Sequence, residues 1–330
     1  MLHVAVTTNI PTGNLELLCP NGVMRWGDCT FTMNPPDGTE CDFWLVWAGL
    51  KGSARLRVAP SNTLFLAGEP PAKKIYPKGY YAQFHRLVCT QADYPHPRVT
   101  FDALGLNWHV GYDRHTGIYA YGYDHLTQLQ QPAKQHEQIS VICSNLTTTQ
   151  GQRDRLALLD ALKHHFGDRV VHFGRGFQPI EDKLDAILPY RYHLVLENSI
   201  SDDYWTEKLA DAYLGWAYPL YVGCENLGRY LPEDGFLPLA GLSVDQMIQR
   251  IEPLLESGLT PKQQAGLEAS RDAILNRYNP FAWFAKWAGQ YCDPDLPREQ
   301  VTIHSHKAYR SWGRGGLYRL RQLMGASSRR

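Results

Sequence analysis

Past residue 138 the chain alternates between two hydrophobic periods. Ile139 to Cys143 is a β-branched, apolar run that reads as a strand. Arg153 to His165 sets Leu156, Leu159 and Leu162, with Ala157, Leu158 and Ala161 beside them, at helical spacing. The alternation continues with Arg169 to Phe173 as a strand, Lys183 to Leu188 as a short helix, His193 to Leu196 as a strand, Tyr204 to Ala217 as a helix and Pro219 to Val222 as a strand. Strands separated by helices imply right-handed βαβ units and a parallel sheet.

The first third has the same kind of strands with weaker helices between them. Val4 to Thr7, Phe43 to Trp47, Thr63 to Leu66 and Phe84 to Cys89 are short apolar runs bounded by Gly, Pro, Asn or Asp, half of a second α/β domain. Gln128 to Gln138 is polar, carries Pro132 and reads as the linker. From Val244 the spacing of Met247, Ile248, Ile251, Leu254 and Leu255 is helical, and Phe281, Trp283, Phe284 and Trp287 read as a core-facing helix rather than a ligand box. Beyond Pro297 the chain turns basic, with Arg298, Lys307, Arg310, Arg314, Arg319, Arg321, Arg329 and Arg330 against Glu299. Such a tail either lies on an anionic membrane through Trp312, Leu317, Tyr318, Leu320 and Leu323 or is a solvated basic end. The partition expected is therefore 1–135 and 136–290 as two Rossmann-like α/β domains, with a C-terminal tail over 291–330.

Composition narrows the class. Among 330 residues, 44% are apolar and 20% charged, with 33 acidic and 33 basic residues, a soluble globular balance that gives no sign of a nucleic-acid partner. The seven cysteines are scattered and never spaced C-x-x-C, which suits reduced thiols in a cytoplasmic protein. Met1 leads directly into an apolar strand without a signal-peptide pattern, and no run approaches the roughly 18 apolar residues of a membrane span. Any membrane contact is expected to be peripheral, at the inner face. The phosphate loop, the G-x-S-x-G elbow and H-E-x-x-H are absent from the sequence. Asp293-Pro294-Asp295 matches D-x-D but sits where a turn is expected, and His304 and His306 lack an evident third ligand, so no metal site is expected.

The stretch from Tyr190 to Gly223 carries the chemistry. A strand ends at Glu197-Asn198-Ser199, a loop with Asp202 and Asp203 caps the next helix, and that helix opens with Tyr204-Trp205-Thr206-Glu207-Lys208. Tyr204, Glu207 and Lys208 then share one face of the first turn, beyond the carboxyl ends of parallel strands where open α/β sheets bind ligands. Backbone N–H groups at a helix start together with Lys208 favour a phosphate or diphosphate. The competing reading makes Glu207 and Lys208 surface residues of a well-capped helix.

This segment resembles the donor-binding motif of the family 10 fucosyltransferases, a strand ending F-E-N-S followed by Y-x-T-E-K. Here the residues are Leu196-Glu197-Asn198-Ser199 and Tyr204-Trp205-Thr206-Glu207-Lys208, with Tyr218 to Gly223 similar to the next strand and its glycine. Ser144-Asn145 followed by Arg153 and Arg155, and Tyr230 to Phe236, resemble further family segments, so the likeness spans about residues 139–256. The resemblance implies the GT-B architecture, two Rossmann-like domains facing a cleft. It further implies an inverting transfer of fucose from GDP-fucose to an oligosaccharide, α1,3 to an N-acetylglucosamine-type residue, without an essential metal. It assigns the donor diphosphate to Arg155, with Arg153 as the alternative, and to Lys208. Glu207 would hold ribose or sugar hydroxyls, Tyr204 would contact the nucleotide, and Asn198 would shape the loop. Leu64 to Pro71 resembles the segment presenting the family's proposed catalytic base, which places that base at Glu69; Trp108-His109 and Tyr112-Asp113 would line the acceptor pocket. A transferase using another nucleotide sugar, or a non-catalytic sugar-nucleotide or glycan binder, are the competing functions.

Overall fold

The computed structural model describes residues 1–69, 74–90, 96–105, 107–134, 136–148 and 150–310. Contacts divide the chain into two compact units, one of residues 1–105 with 280 onward, the other of residues 106–279.

The first unit contains β1 (Leu2–Thr8), β2 (Cys29–Met33), β3 (Phe43–Trp47), the separate strand β4 (Ala54–Val58), β5 (Thr63–Leu66), β6 (Arg86–Cys89) and β7 (Val99–Phe101). The main sheet runs β2-β1-β3-β5-β6-β7, all parallel, with Arg25–Trp26 as a short antiparallel strand outside β2. Every residue of β3 and β5 is buried, as central parallel strands covered on both faces require, and this is why the sequence shows them as unbroken apolar runs. The helical segments between these strands, Leu15–Leu18 and Lys78–Tyr81 among them, are single turns with little periodicity to detect.

The second unit has a five-stranded parallel sheet. Its strands are β8 (His136–Ile142), β9 (Val170–Phe173), β10 (Tyr190–Leu196), β11 (Tyr218–Val222) and β12 (Leu237–Pro238), in the order β9-β8-β10-β11-β12. The crossovers are α1 (Gln150–Phe166), α2 (Lys183–Ile187) and α3 (Glu207–Leu214), followed by α4 (Val244–Ser257) and α5 (Pro261–Asn276). Capping boxes start α4 at Ser243 with Gln246 and α5 at Thr260 with Gln263. The chain leaves β8 for β9 on one side and then crosses to β10 on the other. The sheet therefore has a topological switch point between β8 and β10, and loops diverge there at the carboxyl ends.

The remaining elements correct the linear partition. Helix α6 (Pro280–Tyr291) belongs to the first unit, because its aromatic residues pack on that unit's strands: Phe281 meets Phe31 and Phe284 meets Trp47, each with ring centroids 5.2 Å apart. Its Phe281, Trp283, Phe284 and Trp287 are buried, the core-facing arrangement their spacing implies. Strand β13 (Glu299–Ile303) then pairs antiparallel with β4, and Arg298 bonds Glu40 and Asp42. Residues 298–310 are thus folded onto the first unit instead of trailing as a tail, while the basic residues from Arg314 onward and Trp312, Leu317, Tyr318, Leu320 and Leu323 lie outside the described residues. Residues 107–134, expected in the first domain, belong to the second unit.

Candidate functional site

One buried carboxylate organises the carboxyl end of β10. The backbone N–H of Glu197 still donates to Val222 on β11, at 2.9 Å, but its side chain turns inward and is covered. That carboxylate accepts from the Thr206 N–H at 2.8 Å, from the Thr206 hydroxyl at 2.8 Å and from Lys208 Nζ at 3.3 Å. A side chain at Gly223 would put its Cβ 2.6 Å from Glu197 Cγ, so the residue closing β11 has to be glycine.

The same contacts fix where α3 starts. Captured by Glu197, Thr206 stays extended (φ −131°, ψ −174°) and becomes the N-cap, accepting from the Lys208 N–H. The helix begins at Glu207 instead of Tyr204, and Asp202 and Asp203 do not cap it. Asp203 sits at φ 58° and its carboxylate accepts from Asn226, Arg229 and Tyr230. Tyr204 therefore precedes the helix, with its ring buried near Lys208, which leaves little surface on which a base could stack.

Lys208 Nζ lies 3.3 Å from both Glu197 and Glu207 and donates also to the Thr206 hydroxyl at 3.0 Å. Burial works against its charge, but the two carboxylates outweigh it and hold the lysine well above the usual ammonium range. Burial likewise pushes Glu207 upward, and Lys208, His109 and Lys183 overcome it, leaving Glu207 well below the usual carboxylate range. Glu197 is raised, because for it burial exceeds the help from Lys208 and Thr206. At neutral pH Glu207 is an anion and Lys208 a cation.

Arg155 approaches from the other side of the switch point. It projects from α1, half-buried, and its Nε is buried without a hydrogen-bond partner. The Cys143 thiol, just past β8, is pushed up by burial and pulled back by both Arg155 and Lys208, which places the two cations around the same strand end. Arg153, by contrast, is exposed and donates to the Thr147 carbonyl and the Gln150 side chain, each at 2.8 Å. The start of α1 also meets the loop after β10: a Cβ on Gly151 would stand 2.9 Å from the Asn198 carbonyl, and Asn198 itself is exposed.

Residues 132–257 match the glycosyltransferase family 10 (fucosyltransferase) C-terminal family. The chain carries a family 10 glycosyltransferase domain. It is 33% identical over 171 residues to a 4-galactosyl-N-acetylglucosaminide 3-alpha-L-fucosyltransferase of Pan troglodytes, covering 48% of this chain and 43% of that protein. It is also 33% identical over 88 residues to a 3-galactosyl-N-acetylglucosaminide 4-alpha-L-fucosyltransferase of Homo sapiens, covering 25% of this chain and 24% of that one. The chain thus spans less than half the length of these curated relatives. A crystal structure of an alpha1,3-fucosyltransferase with GDP-fucose superposes with a TM-score of 0.50 at 16% identity, over 89% of this chain and 91% of that one, which shows a shared GT-B fold.

Within the family 10 domain, Arg155, Asn198, Glu207 and Lys208 gather around the ends of β8 and β10, while Glu69 belongs to the first unit. Glu69 is half-buried, three residues past β5, and Pro70 and Pro71 lie outside the described residues. His109 and its neighbours belong to the second unit, outside the matched family segment. The N–H groups of His109 and Val110 donate to the buried Asp211 carboxylate at 2.7 and 3.1 Å, and Lys183 bonds the same carboxylate. Asp211 was identifiable from sequence in principle: an acid set among Leu209, Ala210, Ala212, Tyr213 and Leu214 on a buried helix needs a partner. Asp293-Pro294-Asp295 forms a turn, with the Asp295 N–H on the Asp293 carboxylate at 3.2 Å, and among the described residues no group of three or more His, Cys, Asp or Glu could hold a metal.

Proposed function

We propose that this protein is an inverting fucosyltransferase that moves L-fucose from GDP-fucose to a hydroxyl of an oligosaccharide, α1,3 to an N-acetylglucosamine-type residue. The observation that carries this reading is the convergence of Arg155, with its unpartnered Nε, and Lys208 on the crevice at the β8–β10 switch point of a family 10 domain. As the bond to the sugar breaks, negative charge grows on the departing diphosphate, and fixed cations with helix-end N–H groups aimed at it lower the barrier. Arg155 supplies an uncommitted N–H. Lys208 has its three protons on Glu197, Glu207 and Thr206, so the diphosphate exchanges with one of the longer 3.3 Å contacts. Glu207 receives ribose or sugar hydroxyls, and Asn198 shapes the rim.

Glu69 takes the proton from the acceptor hydroxyl as its oxygen attacks the anomeric carbon from the face opposite GDP. No metal is required, since protein cations meet the leaving charge. We place the enzyme in the cytoplasm, working at the inner membrane face through the basic residues after Arg310. No described helix is long and apolar enough to cross a membrane.

Titration of the purified protein with GDP, GDP-fucose, GDP-mannose and UDP-sugars, without metal, tests the donor assignment. Binding of GDP and GDP-fucose is expected. Preference for another nucleotide sugar would favour a different transferase on the same frame, and failure of GDP to bind would remove the site.

A further inference from the structure

A hairpin ahead of the matched family segment brings a further cation to the donor crevice. Tyr112–Asp113 pairs antiparallel with Ile118–Tyr119, and Arg114 stands at the turn between them. Backbone groups fasten the base of this hairpin to the second unit's helices. The buried Asp211 carboxylate takes the N–H groups of His109 and Val110, Asp182 takes that of Gly111 at 3.1 Å, and the Ala120 N–H returns to the Gly111 carbonyl at 2.7 Å. Asp211 follows Glu207 by one turn of α3, so the hairpin is held on the helix face that carries Glu207.

The imidazole of His109 stacks on Tyr112, centroids 5.5 Å apart at 21°. Around it stand Lys183, Glu207, Asp211 and Arg114, and burial, reinforced by Lys183, lowers the ring to about 4. It is therefore neutral at neutral pH, with one bare nitrogen. Arg114 NH2 lies 3.1 Å from Nδ1 and donates to it, which puts the ring's own proton on Nε2. The same Nδ1 is 3.7 Å from Glu207 Oε1, too far for a hydrogen bond, so the guanidinium and the carboxylate flank one ring atom without the ring holding the carboxylate.

Arg114 has no acid of its own. It is exposed and forms no ion pair with a described residue. Its neighbour Asp113 is committed to the turn, accepting the His115 N–H and the Thr116 hydroxyl at 2.8 Å each, and Glu207 is paired with Lys208. A guanidinium steered by a neutral acceptor keeps its full charge and its remaining N–H groups for another partner, and its planar fork suits phosphate oxygens. Lys208, by contrast, has its three protons on Glu197, Thr206 and Glu207, so a bound diphosphate needs donors beyond it.

We infer that Arg114 is a further ligand of the donor's diphosphate, aimed at it by Nδ1 of His109. The inference rests on the reading of the crevice at Glu207 and Lys208 as the donor site, and it extends that site to a hairpin outside the matched residues 132–257.

The test is calorimetric titration with GDP of the unaltered protein, Arg114→Gln, Arg114→Lys, His109→Phe and the His109→Phe/Arg114→Gln pair, with melting temperatures to confirm folding. Arg114→Gln is expected to weaken GDP binding about tenfold, the effect of one charge-assisted hydrogen bond. That loss shrinks as salt is raised, because an exposed cation is screened. Arg114→Lys keeps the charge without the fork and recovers part of the affinity. His109→Phe keeps a stacked ring and removes the acceptor, so it weakens GDP binding only while Arg114 is present, and the double variant binds as Arg114→Gln does. A purely structural histidine would weaken both backgrounds alike, and such additive losses would overturn the steering by His109. GDP affinity unchanged in Arg114→Gln, or a loss that salt does not diminish, would overturn the inference and leave the donor site standing. Failure of the unaltered protein to bind GDP would overturn the donor site and the inference together.

Discussion

Thr206 gives both of its protons to Glu197, the N–H at 2.8 Å and the hydroxyl at 2.8 Å, and thereby ties the start of a helix to the end of the strand nine residues before it. The pair is buried, so neither partner has water to fall back on. Thr206→Val keeps the shape and removes the hydroxyl, and leaves Glu197 short of a donor and α3 short of its cap. We expect a loss of about 1–3 kcal/mol in unfolding free energy, measured by chemical denaturation, with GDP affinity reduced because Lys208 shifts with the helix start. Thr206→Ser should retain most of both. Equal stability of the valine variant would mean that the bonds to Glu197 do not hold this end of the domain.

The two arginines of α1 make a sharper pair. Arg155 has a buried Nε without a partner, whereas Arg153 is committed to the Thr147 carbonyl and Gln150. Arg155→Ala should lower GDP affinity about tenfold or more, the size of one charge-assisted hydrogen bond, while Arg153→Ala should change it little. Calorimetric titration decides between them, and the opposite ranking would transfer the diphosphate to Arg153.

The sequence showed the strands of the second unit clearly, because β8, β9, β10 and β11 are apolar runs between helical spacings, and their order of appearance implied the parallel sheet. It misplaced the start of α3 for a physical reason. Asp202 and Asp203 are good capping residues by type, but the cap was decided by a carboxylate outside the local window, and Asp203 was already engaged by Asn226, Arg229 and Tyr230. The first unit was legible only in part. Its helices are single turns, and the helix that packs on β2 and β3 through Phe281 and Phe284 comes from the far end of the chain. Local periodicity carries no record of which sheet an amphipathic helix will cover, and so cannot place α6 in the first unit. The contact between His109 and Asp211 is hidden for the same reason, since it joins residues about a hundred positions apart.

Glu69 is the residue whose role depends most on chemistry and least on binding. Glu69→Gln preserves shape and removes the base. GDP and GDP-fucose should bind the variant as they bind the unaltered protein, while transfer to an oligosaccharide should fall by about a hundredfold or more, within the range for a missing general base. A matching loss of donor affinity would instead make Glu69 part of the nucleotide site, and unimpaired transfer would require another base.

The acid sensitivity of the domain should trace to imidazoles buried in the neutral form. His193, on β10 and paired with Ser140 of β8, has Nδ1 2.8 Å from the Ser140 hydroxyl, and burial, with Lys183 and Lys134 adding positive charge, lowers it to about 3. His109 is lowered to about 4. An unfolded imidazole takes its proton near pH 6.5, so below that pH the unfolded chain binds protons that the folded chain refuses. Stability therefore declines as pH falls, by about 1.4 kcal/mol per pH unit for each such group while the pH stays between its two pKa values. The raised Glu197 works in the opposite sense, but it is common to the protein and its variants and cancels in a comparison. His193→Asn, which keeps a hydrogen-bonding group toward Ser140, should be less stable at pH 8 yet decline less steeply between pH 6.5 and 5 in denaturation measurements. Parallel declines would mean that His193 accepts its proton without unfolding, and that the β8–β10 interior is open enough to solvate it.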